Sequence, residues 1–172
     1  MMIREARPED AAAVHALYAP IVSETTISFE LEPPTVDEMR TRIEKANEKH
    51  AFLISEDAEG LLGYAYGSTY RVRAAYQWSA EVSINVAPRA RRRGVARALY
   101  DALFDALAKR GYYRAYAGIA LPNEASLALH EAAGFTHIGT FHKVGYKFGG
   151  WRDVSWWERA LREDEGTPRS IE

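Results

Sequence analysis

The stretch AEVSINVAPRARRRGVAR, residues 80–97, decides how the chain is read. Its first seven residues alternate. Ala80, Val82, Ile84 and Val86 fall on one face, and Glu81, Ser83 and Asn85 on the other. A period of two is the signature of a strand with one buried side. Pro88 ends the strand, because proline cannot donate to a ladder. Five arginines follow, at 89, 91, 92, 93 and 97, with no acid among them. Gly94 and the small Ala96 stand where a long amphipathic helix begins, with Ala96, Leu99, Tyr100, Leu103, Ala106 and Leu107 as its apolar stripe. The first amides of a helix have no intrahelical acceptor and lie at the positive end of its dipole. With arginines alongside, Arg91, Arg92, Arg93, Gly94, Val95, Ala96 and Arg97 make a phosphate-sized anion site. The pattern is neither a Walker loop nor GxGxxG.

A second signal lies downstream, in Asn123-x-x-Ser126-x-x-x-His130-x-x-x-Gly134-Phe135. Asn123 is a helix cap. Ser126 and His130, four apart, share a helical face. Gly134 ends that helix and Phe135 returns the chain to a sheet. Further out, residues 2–6 read as a strand, and Pro8 opens a helix that carries Val14, Leu17, Tyr18 and Ile21 at helical spacing. A loop is expected over 22–34. Thr35 and Glu38 form a capping box for a helix reaching about Lys49. Residues 50–56 and 61–70 read as a hairpin, 71–79 as an aromatic and basic loop, and 112–119 as a strand. Residues 135–146 and 152–161 read as the last two strands, joined through KFGGW. The pattern predicts one α/β domain over 1–161 and a polar, frayed tail over 162–172.

The whole composition narrows the function classes. The 172 residues carry 22 Lys+Arg against 24 Asp+Glu, a net charge of -2, which argues against a general nucleic-acid binder. There is no cysteine, hence no disulfide, thiol nucleophile or cysteine zinc site, and no metal-ligand spacing among the histidines. The charged start MMIREARPED lacks the apolar core of a signal peptide, and no apolar run is long enough to span a bilayer. A cytoplasmic protein without a nucleic-acid or membrane partner is expected.

The ordered pair of motifs, with a helix and a strand between, resembles the GCN5-related N-acetyltransferases (GNAT). The resemblance covers nearly the whole chain. Within that superfamily, Ala75-Tyr76-Gln77-Trp78-Ser79-Ala80-Glu81, Val86-Ala87-Pro88-Arg89, Leu121-Pro122-Asn123 and His130-Glu131-Ala132 resemble the phosphinothricin acetyltransferases. So does the late block Gly145-Tyr146-Lys147-Phe148-Gly149-Gly150-Trp151-Arg152-Asp153. The resemblance implies a mixed, mostly antiparallel sheet flanked by helices, with two adjacent strands splayed apart. It implies acetyl-CoA as cosubstrate and an amino acid such as phosphinothricin or methionine sulfoximine as acceptor. A homodimer is also implied. On the same ground, Ile84, Asn85 and Val86 are expected to hold the pantetheine arm, residues 91–97 the pyrophosphate, and Asn123 a further part of the cofactor. Two departures stand out: Ala96 where relatives often have Gly, and Asn85 where relatives often have Tyr.

Acetyl transfer needs a neutral amine, and an α-amine has a pKa of about 8. Glu81, on the polar face of its strand beside Ser83, is the candidate general base, acting through a water. His130, with an unshifted pKa near 6.5, is the candidate acid towards the thiolate or a second base. Arg71 and Arg73 are suited to a second acidic group on the acceptor, and Phe29, Tyr76 and Ser83 to the pocket wall. Three alternatives stay open at this point: a broader amine acetyltransferase, a non-catalytic CoA-binding module, and an RNA-binding module using the arginines.

Overall fold

A computed structural model describes residues 1–163 and 166–171. The chain runs β1 (Met2–Glu5), α1 (Ala11–Glu24), α2 (Val36–Lys49), β2 (Phe52–Asp57), β3 (Gly60–Thr69), β4 (Ser79–Val86), α3 (Val95–Arg110), β5 (Arg114–Ala120), α4 (Glu124–Ala132), β6 (Thr136–Lys147) and β7 (Gly150–Ala160). The strands form one sheet in the order β1-β2-β3-β4-β5-β7-β6. All described neighbours are antiparallel except β4 and β5.

That parallel pair is short. Its register runs Ser79↔Arg114, Ala80↔Ala115 and Glu81↔Tyr116 and goes no further, although β4 continues to Val86 and β5 to Ala120. The strands separate beyond Glu81, as the splayed-pair expectation required.

The two faces of the sheet carry separate cores. On one, α3 buries Val95, Leu99, Tyr100, Leu103, Phe104 and Leu107 against Ala80, Val82, Ala115 and Ala117. A fully buried side chain of this size contributes roughly 1.5–3 kcal/mol, so the stripe alone anchors the helix. Val95 and Phe104 join the expected stripe, while Ala96 and Ala106 are only half-buried. On the other face, α1 and α2 pack Val14, Met39 and Ile43 over Phe52, Ile54 and Tyr64. Phe52 stacks on Tyr64 and Tyr66, with centroids 5.4 and 5.0 Å apart.

Local signals in the sequence account for most boundaries. The Thr35–Glu38 capping box forms in both directions. Gly111 stops α3 at φ 105°. Phe148 and Gly149, at φ 51° and 71°, make the two-residue turn between β6 and β7 that right-handed strand twist favours. Two expectations need correction. Helix α1 continues to Glu24, because Val22 is fully buried, so the loop begins at Thr25. The tail is not frayed over 169–171. The Trp78 indole donates to the Arg169 carbonyl at 2.7 Å, and Ile171 packs on the α3 core.

Candidate active site

The gap between β4 and β5 opens into a cavity of about 350 Å3. Glu81 stands at its root, as the last residue of β4 in register with β5. Ser83, Asn123 and His130 line it, and Phe29 from the α1–α2 loop closes one side.

Backbone pairing decides which groups of β4 face the gap. The Ala87 amide donates to the Leu62 carbonyl on β3 at 2.8 Å. Hydrogen-bonding direction alternates along an antiparallel strand. Asn85 and Ser83 therefore also turn their peptide groups to β3, opposite Tyr64 and Tyr66. Ile84 and Val86 turn theirs to the open edge. This leaves the Ile84 and Val86 main chains open to an extended ligand, while Asn85 also lines the cavity. Its main chain faces β3, where a side chain on Gly63 would meet the Asn85 carbonyl at 2.7 Å. Its side-chain amide is held by the Tyr64 hydroxyl at 3.0 Å.

Burial pushes the Glu81 carboxyl above its ordinary range, and the nearby Arg71 charge opposes that shift. A raised pKa makes a carboxylate a better proton acceptor near neutrality. Ser83 stands opposite Tyr66 across the β3–β4 ladder.

His130 is buried, not a surface histidine, and its pKa is not left near 6.5. Burial lowers it, with the bond to Ser126 opposing. Its protonation can be read from its partners. Nδ1 lies 2.7 Å from the Ser126 carbonyl oxygen, which only accepts, so Nδ1 carries the proton. Nε2 of the neutral ring then accepts from the Tyr100 hydroxyl, at 2.8 Å. Tyr100 also lines the cavity. Sequence reading placed Tyr100 in the α3 stripe and missed it as a polar group. Its spacing is that of a core residue, and the hydroxyl's partner comes from another helix.

At the cofactor end, the first helical bond of α3 runs from the Ala98 amide to the Gly94 carbonyl, at 3.0 Å. The amides of Val95, Ala96 and Arg97 thus precede the helical ladder. Arg92 and Gly94 both have positive φ, 58° and 77°, which curls the turn into an anion-binding nest. Nothing lies within 4 Å of where a Gly94 side chain would begin. These residues fit a pyrophosphate. Arg91, Arg92 and Arg93 are exposed beside the nest, whereas Arg97 is engaged elsewhere, with Asp101 at 3.0 Å and the Ala132 carbonyl at 2.6 Å. Asn123 caps α4, its Oδ1 accepting from the Ser126 amide at 3.2 Å.

Arg71, Arg73 and Tyr76 do not line the Glu81 cavity. They line a neighbouring one of about 320 Å3, with Ile171 from the tail. The two share no lining residue, and a run of stacked side chains separates them. Arg71 lies over the Tyr70 ring at 4.6 Å, and Tyr70 stacks on Tyr116, the register partner of Glu81, at 4.4 Å. Sequence reading also missed the far wall. Trp156 and Val154 of β7 lean over Gly118, where a side chain would come within 3.2 Å of the indole.

A sheet that forks at a half-buried carboxylate, beside an amide nest at a helix start, defines a class of acyl-CoA-dependent transferase. Residues 3–156 match the family model described as an acetyltransferase (GNAT) domain, and the chain belongs to that family. It is 45% identical over 165 residues to a phosphinothricin N-acetyltransferase of Streptomyces coelicolor, covering 94% of this chain and 96% of the relative. It is 31% identical to an L-methionine sulfoximine/L-methionine sulfone acetyltransferase of Salmonella typhimurium, covering 95% and 96%. Among solved structures, it resembles a GNAT superfamily phosphinothricin acetyltransferase from Sinorhizobium meliloti in complex with acetyl-CoA. The TM-score is 0.92 at 30% identity, over 98% of this chain and 92% of that one. The chain is an acetyl-CoA-dependent N-acetyltransferase, as its sequence motifs implied.

Proposed function

We propose that this enzyme acetylates the α-amine of a small amino acid such as phosphinothricin or methionine sulfoximine, by direct attack without a covalent enzyme intermediate. The observation that carries the reading is Glu81 at the root of the fork, half-buried and with its proton affinity raised. Acetyl-CoA supplies a thioester acyl group. Glu81 takes the amine proton, directly or through one water, and Ser83 helps to hold the amine. The Val86 amide, on the open edge of β4, is the donor available to the acyl oxygen. The departing sulfur takes the second proton of the attacking nitrogen as the tetrahedral adduct collapses, while the fully buried Tyr100 hydroxyl keeps donating to neutral His130. His130, with its own proton held by the Ser126 carbonyl, is not the acid and fixes the Tyr100 ring at the cavity wall.

Arg71 bears on the site through its charge, which opposes the raised Glu81 pKa, whereas Arg73 and Tyr76 stand off in the other cavity. A broader amino-acid acceptor range is the second reading. It is favoured by the apolar wall of Phe29, Val154 and Trp156, which suits a neutral side chain. Acetylating such amines in the cytoplasm, where acetyl-CoA is drawn, is a route to resistance against toxic amino acids. A homodimer is part of the proposal, supported by six large apolar residues, Ile138, Phe141, Val144, Tyr146, Phe148 and Trp151. Each is more than half exposed on or beside the β6–β7 hairpin.

A steady-state screen tests the reading, with acetyl-CoA against phosphinothricin, methionine sulfoximine and the common amino acids, and CoA thiol release as the signal. A kcat/KM at least tenfold higher for the first two than for any common amino acid supports the narrow function. Even rates across neutral amino acids favour the second reading, and no release with any amine overturns both.

A further inference from the structure

Lys147 is only 3% exposed. Its ammonium donates to two carbonyls, those of Val22 and Ser28, each at 2.7 Å. Val22 lies in the last turn of α1, where carbonyls lack intrahelical donors and a cation is favoured by the dipole. Ser28 lies in the loop that follows, one residue before Phe29. One ammonium thus ties the end of α1 to the middle of the loop, from a strand more than a hundred residues away in sequence. A buried charge is costly unless its bonds are satisfied. Here the Phe148 ring lies 5.0 Å from the ammonium, and the Glu30 carboxylate favours the charge. Arg152 fixes the backbone beneath, donating to the Lys147 carbonyl at 3.2 and 3.3 Å.

The same segment makes a second contact with the loop. A side chain at Gly145 would collide with the Phe29 ring, with Cδ2 at 2.8 Å and Cζ at 3.0 Å. The ring is seated on bare backbone. The loop's far end is tied down separately, as Glu30 accepts from Arg42 at 2.5 and 2.9 Å and is also bonded by the Tyr18 hydroxyl. Ile27, Ser28 and Phe29 all line the Glu81 cavity.

We propose that Lys147 is a positioning residue for the acceptor side of the reaction: with the bare Gly145 seat, its ammonium fixes the 25–30 loop so that Phe29 forms the cavity wall facing Glu81. This rests on the reading that the cavity receives the acceptor amine. Lys147 and Gly145 touch neither reactant. They act through a ring that does. The amide nest at 92–97 that receives acetyl-CoA belongs to other elements, so the effect is confined to one substrate.

The test compares Lys147→Met, which keeps the length and removes the donors, with Gly145→Ala, which keeps the ammonium and displaces the ring. Wild type and both variants are assayed with the best acceptor from the screen, after thermal unfolding has shown each to be folded at the assay temperature. A wall shifted by about 1 Å can cost on the order of a hundredfold. The expected result is an acceptor kcat/KM lowered roughly 10- to 100-fold in both variants, with KM for acetyl-CoA within about twofold of wild type. The double variant should be no worse than the poorer single, since both act through Phe29. Should Lys147→Met not accumulate as folded protein, Gly145→Ala decides alone. Folded variants with wild-type acceptor kcat/KM overturn the proposal, and so do equal losses for acceptor and acetyl-CoA. A wild type inactive on every amine defeats the functional reading instead.

Discussion

At the scale of single residues, the hydrogen-bond partners of His130 decide what it can do. The Ser126 carbonyl fixes the proton on Nδ1, so Nε2 faces Tyr100 as an acceptor and has no proton to give. Tyr100→Phe leaves Nε2 without its donor and should therefore cost about 1–3 kcal/mol of stability, with kcat of the folded enzyme within a few-fold of wild type. The folded state should keep its acetyl-CoA affinity by calorimetry. A Tyr100→Phe enzyme whose kcat falls about a hundredfold would instead place the hydroxyl in the proton path. Glu81→Gln keeps the shape and removes proton acceptance, so kcat should fall by about 10²–10⁴-fold near pH 7. The sign with pH follows from the raised carboxyl pKa. The wild-type base works only above that pKa, so its acidic limb lies at higher pH than for an ordinary glutamate. The limb should vanish in Glu81→Gln, and the deficit should shrink at high pH, where the amine arrives neutral. Profiles of kcat/KM against pH for both proteins check this, and near wild-type activity of Glu81→Gln at neutral pH removes Glu81 from the mechanism. Glu81 and His130 stand out in the sequence as candidates because each sits in a local pattern, one on an alternating strand and the other four residues from Ser126. Tyr100 does not, because a tyrosine at core spacing looks the same whether or not its hydroxyl finds a partner on another helix.

At the scale of elements, the proposed function divides the cofactor between the amide nest and the free edge of β4. The nest was legible from Arg91 to Ala96, since a glycine ahead of an amphipathic stripe marks a helix start whatever the tertiary structure. Gly94 sits at φ 77° with open space beside it. Gly94→Asp adds a carboxylate where the pyrophosphate is received, together with some backbone strain. The expected outcome is acetyl-CoA affinity weakened at least tenfold by calorimetry, with the far-ultraviolet circular dichroism unchanged. Unchanged affinity in the folded variant would mean that the phosphates bind elsewhere. Which peptide groups of β4 face the gap was less legible. Alternation separates Asn85 from Ile84 and Val86 only once the partner strand is known, and the Ala87–Leu62 bond supplies that phase. The separation of the Arg71–Arg73 cavity from the Glu81 cavity was hidden for the same reason. Ten residues of chain do not reveal how a loop turns.

At the scale of the whole molecule, the sheet ends in an unpaired edge strand, β6, whose hairpin exposes apolar side chains. Exposed edges and apolar patches invite pairing. Strand β6 is interrupted in register twice, between His137 and Gly139 and between Phe141 and Gly145. The second interruption is braced by Asp153, which accepts from the Lys143 amide at 2.7 Å. A braced, irregular edge suits a specific face better than open-ended strand addition. Sequence pattern reveals this poorly, because an exposed aromatic reads as one more core residue of a strand. Trp151 is 61% exposed, and its ring meets that of Tyr146 in a T-shaped contact at 5.3 Å. Tryptophans at the centre of an interface commonly carry about 2 kcal/mol or more, which is roughly thirtyfold in a dissociation constant. Trp151→Glu should therefore shift sedimentation at micromolar concentration from dimer towards monomer. The melting temperature of the dilute monomer should stay within a few degrees, as the side chain contributes little to its own fold. A wild type that sediments as a monomer at these concentrations would remove the dimer from the proposal. A Trp151→Glu protein as fully dimeric as wild type would move the interface off this hairpin.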